Sequence, residues 1–549
     1  MENNEHTVEL LPINSFEVEE QLSEFGISLL NFSKIYDFSK RFAGVSDCDF
    51  IQSIIVEFTS ELKIDLIAYL GISTLDLKAG DRIKILENEL PSMVVREAVL
   101  NAHEKGILVR HHPNSLWFSF TLGFAFSLEF LRKIGFSLKE WIKDSKIERQ
   151  IIPKVNGDEF RLLLSTYQSN TIYTLTPVQD RLRQRIDVKQ VYLANRFETY
   201  QLLKSKGYEN LIYAWKLRSP KLAVDFDVFQ DFVNSYFEKA FPFGKATSRF
   251  KSQFVSKLRK KLSFAIRLYS PIKEVIEVYK PNAILVSSCS TVDAQIMIHL
   301  AKYMHIKVLE MTHGMFQDSP LLKFQHVPVK LVWSERQRDI MLKYTTNMVC
   351  PVIGNPKHDE LLSAFEKSPP VRLFAGPYVL FASTPGNNIS ISKITYLKIL
   401  GEYVTVASRF PDLLFVWKLH PSESKQRISE ELKAMSPPNN LIIEQGSDVY
   451  GLIYHAEMVI VITSTVGFEA LLWKKKLICY SIRNSEKWLP FSEHGLAKSA
   501  SNTDDLIGAI DFFLSNNSLA ADNPKRNYFA FSDGMALDRI VKMVLQKEV

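Results

Sequence analysis

The sequence predicts an α/β protein built on two doubly wound parallel sheets, preceded by a mainly helical extension. Three observations carry that expectation. From residue 281 onward, short apolar runs alternate with polar turns and amphipathic stretches, the beat of strand, crossover helix and next strand. The beat is broken at Lys367-Ser368-Pro369-Pro370 and Gly376-Pro377, where prolines block both helix and sheet, and it then restarts, so there are two units rather than one. Turns bearing hydroxyls, glycine or histidine follow several of the strands, which is where doubly wound sheets hold their ligands.

Taken in chain order, residues 1–150 show helical patterning without a placeable motif. The opening MENNEHTVELLPINSF carries acidic residues where a secretory signal needs basic ones and an apolar core, which favours a cytoplasmic chain. The most apolar stretch, residues 114–136, has about fifteen uncharged residues before Glu129, short of the roughly 20 that span a bilayer. It reads as a buried helix in preference to an in-plane membrane contact.

Residues 151–366 form the first unit. Strands are expected at 170–177, 190–195, 210–215, 282–288, 307–313 and 329–334, with helices over 196–208, 291–306 and 335–344 and a largely helical insertion over 216–280. The segment MVCPVIGNP then brings the chain to a turn. The second unit, residues 371–520, has strands at 378–384, 413–421, 440–446 and 456–464. Ile391, Ile394, Leu397, Leu400, Val404 and Ala407 mark one helical face after its first strand. Residues 521–549 form a helical tail.

Composition narrows the function. A chain of 549 residues with 46% hydrophobic content is globular, and a net charge of +6 is too mild over this length to argue for nucleic acid. Cys48, Cys289, Cys350 and Cys479 lie far apart with no CxxC pair, which fits a reducing compartment and neither a disulfide framework nor a zinc site.

Four turns concentrate the candidate chemistry. In STVGFEAL, Ser464 and Thr465 stand where a helix begins, suited to cradle a phosphate. Gly467 permits close backbone approach, and Glu469 in the first turn is placed to accept ribose hydroxyls. The same residues also read as an ordinary N-cap with a packing glycine. In KLHP, Lys418 and His420 close a strand and Pro421 pre-sets the first turn of a helix. The imidazole there is either a hydrogen-bond donor to a phosphate or leaving group, or simply structural. His313 in THG follows a strand of the first unit, and a neutral imidazole with a pKa near 6.5 suits a general base. Ser383, Thr384 and Gly386 form one more hydroxyl and glycine turn.

The order HG, GNP, KLHP, STVGFEAL resembles the capsular and surface polysaccharide glycosyltransferases of the GT-B fold, among them polysialyltransferases, capsule Kdo transferases and CDP-glycerol glycerophosphotransferases. The resemblance covers residues 281–520. It implies two Rossmann-like domains facing across a cleft. The second would hold a nucleotide-sugar donor, CMP-linked first, with no metal and no further cofactor. It further implies that His420, Ser464 and Thr465 hold the donor phosphates, that Glu469 meets the ribose and that His313 acts as base. Since sialyl and Kdo transferases use a carboxylate for that last role, Asp180 and Glu198 in first-unit loops are fallback candidates. Two positions depart from the family pattern: Trp473-Lys474-Lys475-Lys476 replaces a Gly-Lys-Pro turn, and Thr312 replaces a glutamine. The lysines read either as added phosphate contacts or as a solvated run.

Two further segments each admit a second reading. Asp225 and Asp227 have the spacing of a metal-binding transferase of another fold, yet sit in a helical region. Phe254, Leu258, Leu262 and Ile266 make an apolar stripe flanked by Lys257, Arg259, Lys260, Lys261 and Arg267, either core-facing or laid on an anionic leaflet. The expectation is a cytoplasmic glycosyltransferase acting on a glycan or lipid-linked glycan, in peripheral contact with the inner membrane surface. A sugar-nucleotide epimerase of the same fold and a catalytically silent assembly protein are the alternatives.

Overall fold

The computed structural model describes residues 5–8, 82–85, 108–111 and 147–546, except 154–156, 167–170, 218–247, 317, 385–392, 463, 483–489 and 517–522. Strands β1 (Glu5–Val8), β2 (Arg82–Ile85) and β3 (Leu108–His111) pair in parallel in that order. Nothing in the helical patterning of residues 1–150 announces these strands. The apolar stretch 114–136 and the pair Asp225 and Asp227 lie outside the described residues.

The first main sheet consists of β4 (Phe160–Ser165), β5 (Val188–Ala194), β6 (Leu211–Tyr213), β7 (Ala283–Val286), β8 (Lys307–Met311) and β9 (Val329–Leu331). All its pairs are parallel and the spatial order is β6-β5-β4-β7-β8-β9. Its helices are α1 (Ile172–Arg183), α2 (Phe197–Ser205), α3 (Ser248–Tyr279), α4 (Val292–Tyr303), α5 (Glu335–Tyr344) and α6 (Pro356–Lys367). The second sheet has β10 (Tyr378–Ala382), β11 (Leu414–Lys418), β12 (Leu441–Glu444), β13 (Met458–Val461), β14 (Lys476–Tyr480) and β15 (Lys498–Ala500), ordered β12-β11-β10-β13-β14-β15. Helices α7 (Lys393–Arg409), α8 (Lys425–Lys433), α9 (Val449–His455), α10 (Val466–Leu472) and α11 (Thr503–Ser515) accompany it.

Counted within each sheet the strand order is 3-2-1-4-5-6, the doubly wound Rossmann-like order, twice over. This is the α/β, GT-B-like pair of domains expected from the sequence. Every residue of β7, β10 and β13 is buried, because helices cover both faces of a parallel sheet and remove the usual alternation of apolar and polar residues. In the second core Phe381 and Trp417 stack at 4.2 Å with Tyr403 edge-on to Trp417.

Several expected elements differ. The segment 170–177 is not a strand: it begins α1, and the first strand is β4, ten residues earlier. Alternating Ile and Thr mimic a strand there, but burial falls on Ile172, Leu175, Val178 and Leu182, a helical spacing, and Pro177 is accommodated inside the helix. Asp180 therefore sits on α1, where it accepts a hydrogen bond from Tyr208 at 3.1 Å, and Glu198 lies in the first turn of α2, so neither is a loop carboxylate. The basic helix α3 packs against α4 and buries Leu262 and Ile266, while Arg259, Lys260 and Arg267 are exposed. That part of its apolar stripe is occupied by protein and is not available to a membrane surface. Among the described residues no helix is long and apolar enough to cross a bilayer.

The tail visits both units. Within α12 (Arg526–Phe529), Phe529 packs on Phe491 of the second unit, with ring centroids 5.4 Å apart. The last helix, α13 (Ala536–Leu545), buries Ile540 and Val544 among Leu162, Leu175 and Ile353 of the first. Asp359 receives the backbone N–H of Ala536 at 2.8 Å and the hydroxyl of Ser532, anchoring the start of that helix.

Candidate functional site

Each sheet has its topological switch point between its first and fourth strands, so the ends of β4, β7, β10 and β13 are where a crevice opens. Ser165 ends β4 and Thr166 follows it, and Ser287, Ser383 and Thr384, and Ser464 and Thr465 follow the other three strands. A cavity of about 250 Å³ lies between the units. The first unit lines it with Tyr173 and Thr174 of α1, with Met311, His313, Gly314 and Met315 after β8, with Trp333, and with Asn355 to His358 at the start of α6. The second unit supplies Tyr450, Thr465, Phe468 and Glu469.

His313 is exposed, and its Nδ1 donates to the carbonyl of Ser287 at 2.7 Å. A carbonyl can only accept, so the neutral ring carries its proton on Nδ1 and keeps Nε2 as an acceptor. Gly314 is held next to it, its carbonyl accepting from Gln337 Nε2 at 3.0 Å. Ser287 is itself fixed by buried hydroxyls, its Oγ lying 2.9 Å from that of Thr166 and 3.1 Å from that of Thr171, able to donate to one and accept from the other. Asp293, in the first turn of α4, accepts from Ser165 at 3.1 Å. Burial raises its carboxyl above the usual range, and its Oδ1 has no hydrogen-bond partner among the described residues.

Across the cavity, Thr465 is the N-cap of α10 and its side chain makes no capping bond. Ser464 does the local work instead, its hydroxyl accepting from the Val466 N–H at 3.3 Å. Glu469 faces His358, with Oε1 3.7 Å from Nε2, while its buried Oε2 has no hydrogen-bond partner among the described residues. Burial, together with the Glu469 carboxylate, pushes the Tyr450 hydroxyl up, and the Lys357 ammonium stands 4.7 Å over that ring. Gly467 has a packing role: a Cβ there would lie 2.8 Å from Phe491 Cε2, inside the core rather than toward the cleft.

His420, Ser383 and Lys418 belong to the adjacent strand ends and do not line the cavity. From the end of β13, before Ser464, past β10 to the end of β11, before His420, is two strand spacings, about 10 Å. Pro421 does not start a helix. Residues 420–423 close a turn, with the Glu423 N–H donating to the His420 carbonyl at 3.0 Å, and α8 begins only at Lys425 under the Ser424 cap. Lys418 is buried, which lowers its pKa, and its ammonium is committed to the Gln445 carbonyl. Thr384 is buried after β10, and Gly386 lies outside the described residues.

Of the lysine run only Lys474 is exposed to solvent, and the other two are tied to protein groups. Lys476 opens β14, at the sheet edge opposite the strand ends that carry the candidate site, where it pairs with Glu457 at 2.6 Å. Lys475 donates to the Tyr454 carbonyl. Lys474 has φ +56°, so it holds the left-handed position that a glycine would otherwise take at this helix end.

Sequence reasoning missed Tyr173, Trp333, Lys357, His358 and Tyr450. For Lys357 and His358 the signal was present: Asn355 caps α6 and Pro356 is its first residue, a helix start written into GNP. No sequence periodicity points to Trp333 or Tyr450, which reach the cavity only because the two units meet there.

No protein-family model matches the chain, and comparison with curated proteins finds no match. Among solved structures it is similar to the UDP-GlcNAc 2-epimerase from Neisseria meningitidis bound to UDP-GlcNAc, at 14% identity and TM-score 0.48, covering 70% of this chain and 99% of that one. The glycotransferase of kitacinnamycin gives 12% identity and TM-score 0.46, with 72% and 100% covered. Acinetobacter baumannii MurG gives 12% and 0.42, with 70% and 99% covered. At these identities and TM-scores the likeness adds no weight, and the two-domain reading stands on the strand order of the sheets.

Proposed function

We propose that the protein transfers a sugar from a nucleotide-sugar donor to the hydroxyl of a glycan or lipid-linked glycan. The carrying observation is the cavity between the units, where a histidine with an acceptor nitrogen stands on one wall and Thr465 and Glu469 stand on the other. In this reading His313 Nε2 takes the proton as the acceptor oxygen attacks the anomeric carbon. The bond from that carbon to the phosphate oxygen breaks, and the charge that develops on the phosphate is met by Thr465, Ser464 and His420. The unpartnered Oε2 of Glu469 accepts from the ribose hydroxyls. CMP-linked donors come first because of the sequence resemblance, ahead of CDP-, UDP- and GDP-linked ones.

Incubation with a panel of CMP-, CDP-, UDP- and GDP-sugars, with calorimetry on the free nucleotides, tests the reading. Transfer or donor hydrolysis supports it, interconversion of donors without an acceptor establishes an epimerase instead, and nucleotide binding without turnover a silent assembly protein. His313→Ala is expected to lower turnover by about 10²–10⁴-fold at nearly unchanged nucleotide affinity. Glu469→Ala is expected to weaken nucleotide binding instead. A fully active His313→Ala variant removes His313 as the base.

A further inference from the structure

The turn that carries His420 is clamped by a carboxylate with no role in the reading above. Glu423 Oε2 receives the backbone N–H of His420 at 2.7 Å and the Ser383 hydroxyl. Ser383 Oγ in turn accepts the same His420 N–H at 3.1 Å, and the Ser383 N–H donates to the Lys418 carbonyl at 3.0 Å. One carboxylate oxygen thus ties the end of β10 to the end of β11. The rest of Glu423 is fastened from behind, its backbone carbonyl accepting from Gln445 Nε2 at 2.7 Å. The buried Tyr396 hydroxyl, which accepts from Trp417 Nε1 at 3.1 Å, has its pKa raised by burial and by this carboxylate.

Inside the clamped turn, the Ser422 N–H donates to His420 Nδ1 at 3.2 Å and the Ser422 hydroxyl lies 2.7 Å from the same nitrogen. A ring nitrogen that receives a backbone N–H carries no proton, so the neutral ring holds its proton on Nε2. His420 is thereby set as a donor and His313 as an acceptor, opposite tautomers imposed by backbone groups.

We propose that Glu423 is a positioning residue: by accepting the His420 N–H and the Ser383 hydroxyl it holds the turn that fixes His420 as the Nε2–H tautomer, and it commits Ser383 to support rather than to ligand contact. That His420 then meets the donor phosphate rests on the function proposed above, whereas the tautomer does not.

The test separates the two. Nitrogen-15 spectra of the imidazole in the full-length protein report the tautomer directly. Wild type is expected to show Nδ1 unprotonated and Nε2 protonated. Glu423→Ala is expected to give a mixed population, and Glu423→Gln, which keeps one acceptor oxygen, to retain the wild-type signature. An unchanged His420 spectrum in Glu423→Ala overturns the proposal. The functional half is read by calorimetry with CMP, CDP, UDP and GDP. Glu423→Ala is expected to weaken nucleotide binding about tenfold or more, with no further loss when added to His420→Ala, because the two act as one unit. Additive losses overturn action through His420. If His420→Ala binds nucleotide as wild type does while the spectra shift as expected, the donor-site reading fails and the positioning role stands.

Discussion

At the scale of single residues, positions with a plain local explanation differ from those whose role is set by distant neighbours. Gly467 looked like a ligand-facing glycine, yet its missing side chain makes room for Phe491, a ring fully enclosed between Phe468 and Phe529. Gly467→Ala is therefore expected to destabilise the protein by about 1–3 kcal/mol, read as a lower denaturant midpoint, since an enclosed ring cannot yield to a Cβ at 2.8 Å. Asp293 makes a different prediction. Its folded pKa is raised by burial, so the folded state binds the proton more tightly than the unfolded chain. Its favourable contribution is present at low pH and is lost as pH rises from about 4 through the raised folded value. Asp293→Asn keeps an acceptor for Ser165 and has no proton to lose. The variant should gain stability relative to wild type as pH rises above about 4, and parallel stability curves would refute the assignment.

Between elements, the strands of the first unit are joined by charge as well as by their ladder. Glu310 on β8 and Lys330 on β9 are buried and 2.6 Å apart. Burial alone would raise Glu310 and lower Lys330, but their mutual attraction outweighs it, holding the carboxyl below its ordinary range and the ammonium above its own. The pair's contribution is lost as pH falls below the ordinary carboxylate range, and again at the alkaline end as pH passes the raised value of the lysine. Lys330→Met alone should cost about 3–5 kcal/mol by stranding a buried carboxylate, whereas Glu310→Leu with Lys330→Met should be near neutral. Equal losses in the single and double variants would show that the site depends on the charges rather than on packing. The β14 and β15 strands, by contrast, escaped sequence reading: Lys476 opens β14 as a charged residue, and β15 has only three residues, too short to display a pattern.

For the whole molecule, the crossing of the tail is the governing fact. The core of the first unit is completed by Ile540 and Val544, the last buried positions among the described residues, which follow α12 packed on the second unit. A chain ending at Gly534 should therefore lose first-unit stability, with a lower midpoint and more apolar surface open to a hydrophobic dye. An unchanged midpoint would show that the unit is complete without α13. The sequence by itself determined the two doubly wound units, the break near residues 367–377, and the positions of His313, Thr465 and Glu469 beside strand ends. Those features are local, written in apolar runs, prolines and turn residues a few positions apart. Only the tertiary structure decided that the cavity takes Tyr173, His358 and Tyr450, that Lys418 turns to a carbonyl, that the lysine run lies at the opposite edge, and that the tail returns to the first sheet. Each of these depends on contacts between residues tens to hundreds of positions apart, which composition and periodicity do not encode, because burial and hydrogen bonding are properties of the packed molecule.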